Sequence, residues 1–105
     1  MDTRPIARRL TEFRKALAKQ IQMAELIVFG SYLEGNATED SDIDVIIVSD
    51  DFTGMTEDER LDILEDAAGL DEPIIHAWGF TPREMEQAGE LTTLGYARTA
   101  GLRVA

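Results

Sequence analysis

The sequence predicts a single domain of the α+β or α/β class, a small sheet covered by helices. Three observations carry this. The chain has 105 residues, enough for one hydrophobic core and no more. Three short runs rich in apolar and β-branched residues, ELIVFG, DIDVIIVS and EPIIHAWGF, read as strands. Segments with helical periodicity or helix-start signals stand before, between and after them, which is the order of a layered fold.

Residues 3–22 predict the first helix: Ile6, Leu10, Phe13, Leu17 and Ile21 recur at three- and four-residue steps, with Arg8, Arg9, Arg14, Lys15 and Lys19 on other faces. ELIVFG (25–30) predicts a buried strand ended by glycine, SYLEGN (31–36) one helical turn, and ATEDS (37–41) a polar loop. DIDVIIVS (42–49) is almost wholly apolar after its acids, as a strand covered on both faces requires. DDFTGM (50–55) reads as a loop. Thr56 then caps a helix, Glu59 completes a capping box, Leu61, Ile63, Leu64 and Ala68 supply the core side, and Gly69 stops it. EPIIHAWGF (72–80) is the third strand, with Pro73 at its start, where a missing donor does least harm. Thr81 and Pro82 open another helix as N-cap and first helical residue. The tail, 91–105, is weakly helical at best, since two glycines oppose it.

Charge bounds the partners. Twenty-one acids against ten bases give −11, and such a field opposes a nucleic-acid backbone, whose binding rests on Lys and Arg neutralising phosphate. The excess is a solvated acidic surface or a face that meets a basic partner. Cysteine is absent, which excludes disulfides and thiolate metal sites. No apolar run approaches a membrane span and the N-terminal stretch lacks a signal-peptide core, so a cytoplasmic location and no membrane contact are the expectations. Self-association is left open.

The chemistry is concentrated in FGSYLEGNATEDSDIDVIIV, residues 29–48. Side chains two apart on a strand leave one face, about 6–7 Å apart along it. Asp42 and Asp44 thus aim two hard oxygen ligands at one volume, and two anions so close must raise a pKa or attract a cation. Mg²⁺ suits such a pair, because it keeps several waters and takes further ligands from substrate phosphates. A bare Asp-x-Asp is more often two solvated acids, and a bare Gly-Ser an ordinary turn. Together they differ: Gly30 lets backbone approach a ligand, following N–H groups can face an anion, and Ser31 adds a hydroxyl donor. A phosphate cradle beside paired carboxylates is an arrangement for phosphoryl or nucleotidyl transfer.

Gly30-Ser31, ten residues, then Asp42-Ile43-Asp44, with Gly35 and Ser41 in place, resembles the signature of the polymerase-β-type nucleotidyltransferases. The short chain, SDID, ERLDIL and TPREM resemble the minimal nucleotidyltransferases, and the likeness spans about residues 24–87. That resemblance implies an α/β sandwich with a mixed sheet and helices mainly on one face. It also implies two Mg²⁺ ions and transfer of a nucleoside monophosphate from a nucleoside triphosphate, ATP among the candidates, to an acceptor. Gly30 and Ser31 would hold the triphosphate, and Asp42 and Asp44 the metals. Such proteins often accompany a small helical HEPN-domain protein in toxin–antitoxin systems and some adenylylate it, so that partner is implied too.

Two positions depart from the family pattern. Counting back from Thr81-Pro82, the third carboxylate falls at His76, which strand alternation places on one face with Ile74, Trp78 and Phe80. Imidazole suits Mg²⁺ poorly and lacks a carboxylate's charge. His76 is a half-buried histidine, a site residue with altered chemistry, or a neighbour of the true position; Asp71 and Glu72, in a loop before Pro73, are the nearest acid substitutes. Glu34 stands where the family commonly has Arg or Lys. A Mg²⁺-dependent transferase is therefore the first reading, and a catalytically weakened module that binds nucleotide or a partner is the second.

Overall fold

The computed structural model describes residues 4–23, 25–29, 42–71, 73–87 and 102–103. Gly30, Ser31, Glu34, Gly35, Ser41 and Glu72, the turn and loop expected over 31–41, and the tail over 88–101 lie outside them.

Helix α1 spans Arg4–Leu17, and its apolar stripe buries Leu10, Phe13 and Leu17. It ends earlier than the spacing predicts. The Ile21 N–H bonds the Leu17 carbonyl at 3.0 Å across a closing turn, so Ile21 reaches the core without being helical. Arg9 also departs from expectation. It lies on the buried stripe and is only 3% exposed, with Nε donating to the Pro73 carbonyl at 3.1 Å and Nη2 to the Ala68 carbonyl at 2.6 Å. Its stem packs while its fork satisfies two carbonyls that would otherwise be stranded.

Strands β1 (Glu25–Phe29), β2 (Ile43–Val48), β3 (Ile75–Phe80) and β4 (Leu102–Arg103) form one mixed sheet in the order β3-β2-β1-β4. β1 is antiparallel to both β2 and β4, whereas β2 and β3 run parallel. β4 corrects the expectation of a weakly helical tail: the open edge of β1 offers the Leu102–Arg103 backbone a ladder that no local helix could match.

Helix α2 (Glu57–Ala68) makes the crossover from β2 to β3 that a parallel pair needs. Its capping box forms as expected, with Thr56 and Glu59 exchanging two 3.1 Å bonds. At its end Gly69 has φ +66°, where a side chain would be strained. Leu64, Ala67 and Ala68 are buried and Ile63 partly so, but Leu61, expected in the core, is 44% exposed. Among the described residues β3 is an edge strand, and Leu61 lines the hollow between α2 and that edge. Before α2, the expected loop contains a 3₁₀ turn, Asp50–Phe52, whose Phe52 is wholly buried.

One sheet face, carrying Leu26, Val28, Val45, Ile47 and Ile75, packs under α1, α2 and Phe52. On the other, Ile27, Ile46 and Val48 meet Met85 of helix α3 (Pro82–Gln87), with Phe80 beside them. β2 is thus buried on both faces, as its composition predicts, except at Asp44. Thr81 caps α3: its hydroxyl accepts from Glu84 N–H at 3.1 Å while its own N–H donates to the Glu84 carboxylate at 2.7 Å.

Candidate active site

The parallel register sets the site. Asp44, the second residue of β2, is paired with His76 of β3, and Asp42 precedes β2 by one residue. Alternation turns Asp42, Asp44 and His76 to the sheet face that also bears Ile46 and Val48, but at its open end. His76 Nε2 lies 2.7 Å from Asp42 Oδ2, joining side chains 34 residues apart in sequence. Both are about half exposed, 53% for His76 and 45% for Asp42. On the opposite side of β2, Asp44 is the register partner of Phe29, the residue immediately before Gly30.

The two carboxylates are electrostatically unlike. Burial pushes the Asp44 carboxyl above the usual carboxylate range; the nearby imidazole lowers it in part, and Asp42 raises it further. An anion held in that position gains from any cation that reaches it.

The donor chemistry fits one Mg²⁺, since that ion is commonly bound by one or two carboxylates with water and phosphate completing its shell. It does not extend to a third acid. His76 occupies the adjacent place, and among the described residues no three His, Cys, Asp or Glu side chains gather as a group able to hold a metal. Asp71, the described acid substitute, precedes β3 and is exposed.

Trp78 is the residue the motif left unread. Its ring stacks on His76 with centroids 6.4 Å apart and planes 30° from parallel, and it is 44% exposed. The indication in the sequence was its place two residues along the strand from His76, on the same face.

A nucleotidyltransferase domain family model matches residues 10–94. Over 38 residues the chain is 45% identical to the protein adenylyltransferase MntA of Thermococcus cleftensis; the aligned stretch covers 36% of this chain and 38% of that protein. The chain therefore matches well under two thirds of that relative's length. A crystal structure from Sulfolobus solfataricus, of a protein assigned provisionally as a nucleotidyltransferase, superposes with a TM-score of 0.61 at 14% identity, covering 94% of this chain and 84% of that one. At that identity the likeness is one of fold.

Proposed function

Because the chain belongs to the nucleotidyltransferase-domain family and folds as its members do, we propose that it transfers a nucleoside monophosphate from a nucleoside triphosphate to an acceptor hydroxyl. The observation that carries this reading is the pair Asp42 and Asp44, side by side on one sheet face where Phe29 leads into Gly30-Ser31. In the transfer, the acceptor oxygen bonds to the α-phosphorus as the α–β phosphoanhydride breaks and pyrophosphate leaves. When bound, Mg²⁺ supplies positive charge to the phosphate oxygens. Asp42 and Asp44 are the residues to hold it, and Gly30 and Ser31 those to bind the triphosphate. The partial similarity to a protein adenylyltransferase supports AMP as the transferred group and a protein as acceptor. A HEPN-domain protein is the candidate acceptor that the family resemblance implies.

His76 limits the rate in this reading. With no third carboxylate beside the pair among the described residues, its ring nitrogen bound to Asp42 is a weak substitute for an acid drawing the acceptor proton. General-base assistance is typically worth about 10²- to 10⁴-fold. The test is incorporation of labelled AMP into a co-purified HEPN-type protein with Mg²⁺ or Mn²⁺. Asp42→Asn and Asp44→Asn should abolish incorporation, whereas His76→Asp should raise it. Transfer that survives both Asn variants would refute the assignment. The Asp42–His76 pair also favours a second reading, a binding module in which the histidine occupies a carboxylate oxygen and nothing is transferred. Nucleotide binding with no incorporation by either wild type or His76→Asp would select it.

A further inference from the structure

The outer edge of β3 carries a second feature. Ile43 N–H bonds Ile74 C=O at 2.8 Å and Ser49 N–H bonds Phe80 C=O at 2.9 Å, which fixes the phase of the parallel ladder. The backbones of residues 74, 76, 78 and 80 therefore face β2, and those of Ile75, Ala77 and Gly79 face away from it. The Gly79 carbonyl is covered by Arg60 Nη1 at 3.2 Å. The edge along Ile75 and Ala77 adjoins two hollows, of about 380 and 690 Å³, which meet at Leu61, Ala77 and Trp78 and form one trough between α2 and β3. Apolar side chains are exposed along it: Leu61 and Trp78 at 44%, and Leu70 at 92%.

Charge decides what can lie there. Glu57, Asp58 and Glu65 line the trough from α2, while the one basic residue of that helix, Arg60, is held by Glu84 at 2.7 Å and by two carbonyls. A second copy of the chain would bring another −11 and set acidic helix against acidic helix. The chain's own segment after α3 ends at β4, on the opposite edge of the sheet.

We propose that the β3 edge and its trough dock an extended, basic polypeptide segment of a partner protein, which adds to the sheet as a strand. Its backbone pairs with Ile75 and Ala77; Lys or Arg side chains on the α2 side lay their stems over Leu61 and meet Glu57, Asp58 and Glu65, while the apolar side chains between them cover Trp78 on the other face. His76 lies at one end of the same trough, so a docked segment passes the residue bonded to Asp42. That last point deepens the transferase reading and rests on it; docking itself does not.

Trp78, the single tryptophan, reports occupancy by its fluorescence. The probe is a blocked hexapeptide alternating Lys with Val or Leu, titrated without nucleotide or metal, so that its failure leaves the transferase reading untouched. The expected result is a saturable change that weakens about tenfold in 0.5 M salt and about tenfold in Leu61→Lys. A peptide with Glu for Lys should not bind, nor should one N-methylated at its central residues. Equal binding of the N-methylated or the Glu peptide, no saturation at millimolar peptide, or sedimentation as a dimer that Leu61→Lys dissociates would overturn the proposal.

Discussion

Asp44 and Arg9 show how much a single position can cost or contribute. The Asp44 carboxyl titrates above its unfolded value, so the fold favours its protonated form. Its contribution is favourable below the unfolded pKa and lost as pH rises through the folded one. Asp44→Asn should therefore be more stable than wild type at pH 7 in the absence of divalent metal. Solvent screening limits the gain to a few tenths of a kcal/mol, about 1 at most. Urea titrations at pH 7 and pH 3 should show the gap closing in acid. Arg9 makes the opposite contribution: Arg9→Met leaves the Pro73 and Ala68 carbonyls without their donor and should cost about 2–3 kcal/mol by the same measurement. The position was legible from its spacing, three residues after Ile6 and four before Phe13, but its charge disguised it. Asp42 and Asp44 were legible as neighbours because strand alternation is a local rule, whereas His76 entered only through the family resemblance, as one of three readings left open. The 2.7 Å contact between Asp42 and His76 was not legible, since it depends on which strand lies beside β2.

Among the elements, the helix starts were the most readable parts of the chain, because a capping box is written within four residues. Thr56 with Glu59 and Thr81 with Glu84 both form it. The second also titrates. Burial pushes the Glu84 carboxyl up, but the Thr81 N–H and Arg60 outweigh it and hold it below the usual range. Its contribution is thus present above the unfolded pKa of about 4.5 and lost as pH falls through the folded one. Thr81→Ala should cost about 1 kcal/mol at pH 7. Glu84→Gln should remove part of the acid sensitivity of thermal unfolding below pH 4.5. Strand β3 has a tighter requirement. A Cβ at Gly79 would stand 2.8 Å from two ring atoms of Phe52, over which the Arg60 guanidinium sits at 5.6 Å. Gly79→Ala should cost about 1–3 kcal/mol in denaturant unfolding as that ring is displaced. The exposure of Leu61 and the pairing of β4 were hidden for one reason: each depends on which strands form the sheet's edges, which no window of sequence encodes.

For the molecule as a whole, −11 on 105 residues is a repulsive load that salt should relieve. The thermal midpoint should rise between 0.05 and 0.5 M NaCl, and a gel shift should find no tight, salt-sensitive binding of DNA or RNA by the isolated chain. Composition made that much legible; the strand order it could not give, because the two edges of β2 accept β1 and β3 equally well by pattern. The parallel pairing of β2 with β3 has a consequence in time. A chain emerging from the ribosome exposes both aspartates long before His76 and Trp78 are made. Parallel pairing must also wait for α2 to close the crossover, a slow, non-local step. The carboxylate pair thus exists early as two bare acids on a strand that lacks its parallel neighbour, and becomes a site only when the last third of the protein arrives. Truncations ending before Ile75 should carry the whole Gly-Ser and Asp-x-Asp signature and still bind no nucleotide.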